Sequence, residues 1–289
     1  MAHTAVEDPP PAAPPGSPGS GGDRVRFVLR GVGQTLVTLG LVVLLFVVYE
    51  VWITNLWADR NNRRNIAALR HEYDTVLGLP GHANAGVPIG KGLGILYIPR
   101  LGRDYAEAIV QGNAVPDDSQ LEQGTAHYGN TQLPGQKGNF AIAGHRVGKG
   151  EPFLNLDHLR SGDAVVVEYH SPGTRYVSWF VYRVLGGPAG GDPQTDTPGT
   201  VHATGGRSYR LHGRQIIEPS DGDVLYPVPN HPDVPAGQAV DRVLTMTTCH
   251  PKFTASHRMI VFASLAQTVH GTGSRMPAAI STLYDEVDS

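Results

Sequence analysis

Three patterns of apolar and polar positions follow one another along the chain, and each predicts a different kind of element. Residues 31–49, GVGQTLVTLGLVVLLFVVY, carry no charge over nineteen positions, a length that spans a hydrocarbon core of about 30 Å. Apolar character resumes at Val51, Trp52, Ile53, Leu56 and Trp57. Trp52 and Trp57 fall where an interfacial aromatic belt belongs. The pattern predicts a transmembrane signal anchor over 31–57. A cleaved signal peptide would have a shorter apolar core, a small-residue cleavage site and no long polar leader before it. From Asp59 to Leu77 the period becomes helical, with Ile66, Leu69, Tyr73 and Val76 on one stripe, which predicts a helix leaving the membrane. Leu79 to Gly90, rich in Pro and Gly, reads as a linker, so 58–90 is expected to be a juxtamembrane helix and linker.

Beyond Lys91 the period drops to two. GILYIP (94–99), YAEAIVQG (105–112), GTAHYG (124–129), NFAIAGH (139–145), DAVVVEYH (163–170), TRYVSWFVYRVL (174–185), DRVLTMTTC (241–249) and HRMIVFASLA (257–266) are strand-like runs bounded by Gly, Pro, Asp and Asn turns. Eight short strands with few helices predict an all-β domain, a closed eight-stranded barrel over 91–269. Short helical turns are expected at 117–123 and 153–160. The polar, glycine-rich stretch 186–213 reads as a surface insertion, and 270–289 as a mobile tail. Residues 1–23, dominated by Pro, Gly, Ala and Ser, have too little apolar surface to fold. Residues 1–30 are therefore expected to be a disordered tail.

Charge narrows the partners. A net charge of −3 and a pI near 6.5 give no basic face for nucleic acid. Arg24, Arg26 and Arg30 before the apolar span are balanced by Arg60, Arg63, Arg64 and Arg70 after it, so the positive-inside count leaves the orientation open. The chain has one cysteine, Cys249. It can form no intramolecular disulfide and no multi-cysteine zinc site, and is either an inert buried residue or a reactive thiol. Its surroundings favour the thiol. TMTTC (245–249) ends a strand, and Pro251 cannot continue a ladder, so the sulfur falls at a barrel rim. Arg258 opens the following strand, where a cation favours a thiolate and can hydrogen-bond a developing oxyanion. His145 ends another apolar strand, AIAGH, and can exchange a proton with the thiol and with a leaving amine. His127, His145, His250 and His257 lack compact ligand spacing and carboxylates at the same strand ends, so neither a metal nor a cofactor is expected.

These three motifs, in this order and spacing, resemble the sortase family. The likeness covers roughly residues 91–267, with Met246 where the family usually has Leu. It implies an N-terminally anchored barrel in which Cys249 is the nucleophile, His145 the acid and base, and Arg258 the oxyanion-stabilising cation. TAHYGNTQLPGQKGNFAIAGHR (125–146) resembles the class E branch, where a tyrosine in this strand is associated with an LAxTG sorting signal instead of LPxTG. Tyr128 is the matching position, and His127, Thr248 and His250 are expected beside it in the substrate groove. The resemblance further implies cleavage between Thr and Gly of a surface protein's sorting signal. Transfer to an amine of a peptidoglycan precursor or a pilin would follow, on the outer side of the cell membrane, with residues 1–30 cytoplasmic. A papain-type arrangement fits poorly, because His precedes Cys here and Cys ends a strand. The reading from a different class is a catalytically idle, membrane-anchored β-barrel that binds cell-surface ligands. Such a binder would keep its function with the thiol blocked.

Overall fold

The computed structural model describes residues 20–49, 54–76, 86–170, 174 and 176–287, which fall into two compact units divided after Tyr49. In the first unit a single helix, α1 (Ser20–Val48), runs through the apolar segment. Its stretch Val25–Val48 has a mean hydropathy of 2.3 and is exposed throughout, long and apolar enough to cross a membrane. The helix starts ahead of residue 30, where the disordered tail was expected to end. Arginine is a good helix former, and a helix satisfies its own backbone groups, so it propagates into the polar leader. Residues 1–19 and 50–53, with Trp52, lie outside the described residues.

The second unit opens with α2 (Thr54–Val76) and continues into β1 (Gly92–Tyr97), β2 (Glu107–Gln111), the helical turn α3 (Asp118–Leu121), β3 (Thr125–His127), β4 (Gly138–Ala143), β5 (Ala164–Tyr169) and β6 (Val177–Val184). It is completed by β7 (Gly199–Ala203), β8 (Arg207–Leu211), β9 (Arg214–Ile217), β10 (Arg242–His250), β11 (His257–Gly271) and the turn α4 (Ala278–Ser281). All eight expected strands form. They join in the order β10-β4-β3-β2-β1-β5-β6-β11, and β11 pairs back onto β10. Closure leaves no free edge in this ring. The β4–β10 and β2–β3 pairs are parallel and the others antiparallel.

Period-two alternation decides what each strand face meets. Phe140 and Ile142 of β4, Leu244 and Met246 of β10, and Met259 and Val261 of β11 fill the interior with Leu96, Val165 and Tyr182. Their neighbours Val243, Ile260 and Phe262 face outward. That outer face is covered by the stretch expected to be a polar surface insertion, and here the expectation is corrected. β7 and β8 form a hairpin whose Val201, Ala203 and Leu211 pack with Val224, Val228 and Val234 over the barrel wall. β9 adds to β11. Few apolar residues suffice, because each caps a hydrophobic patch the barrel already presents.

A second outer patch, around Ile95, Tyr97, Val166 and Trp179, receives Leu69 and Tyr73 of α2 and Ile280 and Leu283 from beyond β11. The expected mobile tail is thus corrected as well: β11 continues to Gly271, and α4 with the following turn buries its apolar side chains. Residues 77–85, most of the expected linker, lie outside the described residues, as does the Val76 side chain.

Candidate active site

The nucleophile candidate and the cation candidate are locked together by sheet register. Cys249 of β10 stands directly opposite Arg258 of β11 in the antiparallel ladder, where paired side chains share a face at about 5 Å between Cβ atoms. The face is the outer one, continuing the row of Thr245 and Thr247. β10 and its ladder end at His250, one residue past the thiol, with Pro251 next in the chain. The Arg258 Nη1 donates to the carbonyl oxygens of Ala255 at 3.0 Å and His257 at 3.1 Å. Both bonds use one nitrogen, and among the described residues the rest of the guanidinium is free for an oxyanion.

His145 reaches the same place from β4. The parallel register pairs Thr247 with Ala143, and Gly144 donates from its backbone to the Thr247 carbonyl at 3.1 Å. His145 follows two residues beyond that last rung, just past the end of β4, the strand that runs parallel to β10. His145 is 18% exposed, with Nε2 3.8 Å from Asp118 Oδ1. That nitrogen is buried and makes no hydrogen bond among the described residues. Burial, then the Lys149 cation, hold the imidazole below its ordinary pKa, while Asp118 and Glu122 pull the other way. The ring thus keeps one nitrogen open for proton exchange.

Tyr128, the residue after β3, lies on the groove side. Its hydroxyl is 2.8 Å from Thr247 Oγ1. Burial raises its pKa, and the charges of Arg258 and Cys249 both act on it, so it sits within electrostatic reach of the pair. His127 does not join it. Only 1% exposed, it faces the interior against Phe140, with ring nitrogens 3.0 Å from Gln111 Oε1 and from the Gln132 carbonyl oxygen. Burial drives its pKa down to about 4. Thr248 is likewise turned away from the thiol's face and spends its hydroxyl on the Gly144 carbonyl at 2.8 Å. Both expected groove residues are corrected by one fact: consecutive strand residues point to opposite faces, and His127 and Thr248 fall on the inward one.

His250 stays near the rim, its Nδ1 2.8 Å from Arg146 Nη1. Its partner Arg146 follows His145 directly in the chain. It is 4% exposed, donates to the Cys249 carbonyl at 3.3 Å, and pairs with Asp157 at 3.2 Å. The signal for it was in the chain: an arginine directly after the acid–base candidate, in a segment with no other reason to be cationic. Among the described residues no group of three or more His, Cys, Asp or Glu is placed to hold a metal.

A closed mixed barrel with a thiol at one strand end, an arginine across the ladder and a histidine on the parallel neighbour defines a thiol acyl-transfer site of the sortase kind. The comparisons agree. The family model of the sortase domain matches residues 96–266. Sortase SrtE1 of Streptomyces coelicolor is 30% identical over 82% of this chain, an alignment that spans 57% of that relative. Sortase SrtE2 of the same organism is 27% identical over 85% of each chain. Among solved structures, the SrtF sortase from Corynebacterium diphtheriae is 33% identical, with a TM-score of 0.53 over 70% of this chain and 98% of that one. This chain belongs to the sortase family, whose members are cysteine transpeptidases. The names of the two curated relatives match the class E likeness of residues 125–146.

Proposed function

We propose that this protein cleaves a C-terminal sorting signal of the LAxTG or LPxTG type between Thr and Gly and transfers the new carboxyl end to an amine of the cell wall. The direct opposition of Cys249 and Arg258 in the ladder carries the reading. The Cys249 thiolate attacks the Thr carbonyl carbon, and the tetrahedral oxyanion meets the free part of the Arg258 guanidinium. The C–N bond breaks as His145 delivers a proton to the departing glycine nitrogen, leaving a thioester on Cys249. An amine from a peptidoglycan precursor or a pilin lysine then attacks the thioester, gives its proton to the now neutral His145, and releases the thiolate. Tyr128 is the groove residue that contacts the signal, with His250 at the rim. The barrel lies outside the membrane, beside a lipid-linked acceptor, held by α1, with residues before the span cytoplasmic.

The test is incubation of the protein with quenched LAxTG and LPxTG peptides and an amine acceptor, beside Cys249→Ala. Cleavage between Thr and Gly that vanishes in the variant is expected, with LAxTG preferred. Failure to cleave either peptide would favour the idle binding barrel.

A further inference from the structure

The loop that follows His145 is held from outside the barrel. Residues 147–152 carry left-handed backbone at Lys149 (φ 53°) and Glu151 (φ 40°), alongside Gly148 and Gly150, conformations that non-glycine residues adopt only when their surroundings impose them. The surroundings are the first turns of α2. Asn55 accepts from the Gly150 backbone N–H at 3.2 Å and donates to Glu151 Oε1 at 3.3 Å. Glu151 Oε2 in turn accepts from the Gly148 N–H at 3.1 Å. Ala58 lies so close that a Cβ on Gly150 would meet its methyl at 2.9 Å.

The loop so held carries the charges that face His145. Lys149, between the two clamped glycines, binds Asp118 at 2.8 Å and Glu122 at 3.0 Å, and Asp118 is the carboxylate 3.8 Å from His145 Nε2. The loop's far end returns to the histidine: the Phe153 N–H donates to the His145 carbonyl at 3.0 Å, and Tyr105 caps the Pro152 carbonyl at 2.8 Å.

We infer that α2 is a positioning element of the active site, in which Asn55 and Ala58 fix the 147–152 loop and thereby the imidazole of His145 and its charged neighbours. Asn55 touches neither substrate nor thiol and acts through the loop. The inference deepens the proposed transpeptidation and rests on it for the role of His145. The charged groups that act on the imidazole are Asp118 of α3, Glu122 just after it, and Lys149 of the loop. Of these, only Lys149 lies in the loop that Asn55 and Ala58 hold.

The experiment uses the full chain in detergent micelles, with two readouts. Because Cys249 is the sole cysteine, the pH profile of its alkylation by iodoacetamide follows the ionisation of the thiol and of its histidine partner without any sorting peptide; His145→Asn identifies the histidine limb. In Asn55→Ala the loop relaxes, the Lys149 cation moves off and water reaches the ring, so that limb moves to higher pH by about half a unit. In peptide cleavage, kcat falls about ten- to a hundredfold with KM within about twofold. Asn65→Ala, which removes a bond from the same helix to the Gln123 carbonyl, leaves the profile in place. Asn55→Asp, which keeps the acceptor toward Gly150, falls between parent and Asn55→Ala. If Asn55→Ala does not fold, Ala58→Val, which presses on Gly150 and leaves the hydrogen bonds, decides in its stead. Superimposable alkylation profiles of parent and folded variant overturn the inference. A parent that cleaves no peptide overturns the proposed function instead, while the alkylation profiles still decide the clamp.

Discussion

Asn139 is wholly buried on the outer side of β4, and each of its side-chain atoms is used. Its Oδ1 accepts from Thr245 at 2.6 Å, and its Nδ2 donates to the carbonyls of Val224 at 2.9 Å and Tyr226 at 3.1 Å. The motif asparagine and the motif threonine thus bind each other across β4 and β10, holding parallel the two strands that deliver His145 and Cys249. Asn139→Ala orphans two buried groups and one half-buried carbonyl and is expected to cost about 2–4 kcal/mol, read from urea unfolding. At Arg258 the expectation concerns rate: Arg258→Ala loses about 100- to 1000-fold in kcat with the fold intact. Opposite ionisation of Cys249 and His145 makes cleavage bell-shaped in pH, and a flat profile from about pH 5 to 9 would count against the pairing. His127 gives a separate, structural dependence. Its folded pKa is depressed from 6.5 to about 4, so its contribution is present above pH 6.5 and lost as pH falls through about 4. That loss is about 3 kcal/mol, and His127→Gln should remove it from the pH dependence of the urea midpoint. Cys249, His145 and Arg258 were legible in the sequence because each sits in a motif at a strand end. Adjacency in the chain sets His127 next to Tyr128 and Thr248 next to Cys249, but strand alternation turns both inward. Nothing in the sequence states that Arg146 reaches the Cys249 carbonyl, since that contact spans 103 positions.

The strands were readable because a half-buried strand writes its two faces into alternate residues, and the barrel strands do so strongly. The β7–β8 hairpin does not: its burial runs from exposed His202 and Arg210 to buried Val201 and Leu211, and glycine and threonine around it mask the period. Its stability rests on a few apolar side chains against Ile260 and Phe262. Leu211→Ala is therefore expected to cost about 2–5 kcal/mol, measured by chemical denaturation. β9 is tied to the same cover and pairs Ile217 with Arg258, so the variant should also lose cleavage activity in proportion as β9 detaches. The C-terminal turn hid itself similarly, with Ile280, Leu283 and Tyr284 too few for a period yet all buried. Truncation before Ala278 uncovers the Trp179 patch and should lower the melting temperature by several degrees.

On the scale of the molecule, the barrel has no free edge in its ring, and its outer wall is covered on one side by the hairpin insertion and on another by α2 and the C-terminal turn. A soluble protein cut at Thr54 keeps Leu69 and Tyr73 in place, together with the bonds of Asn62 to Ala106 and Ala108 and of Asn65 to Gln123. One cut at residue 86 loses them all. The longer form is expected to unfold at higher urea concentration and to stay monomeric, and the shorter to associate through the exposed patch, as sedimentation would show. The sequence marked α2 by its helical stripe, but the surface that stripe meets is built from separate parts of the chain, Ile95 and Tyr97 with the distant Val166 and Trp179.

Cys249 and Arg258 face each other across a single rung of one ladder, whereas His145 hangs from a turn. The two halves of the chemistry therefore differ in how they wear out and how they can be retuned. Heat should abolish the nucleophile's environment only when the sheet itself melts, so loss of activity and loss of structure coincide for that half. The working pH, by contrast, is open to revision from the turn alone, without disturbing the atoms that bear the acyl group.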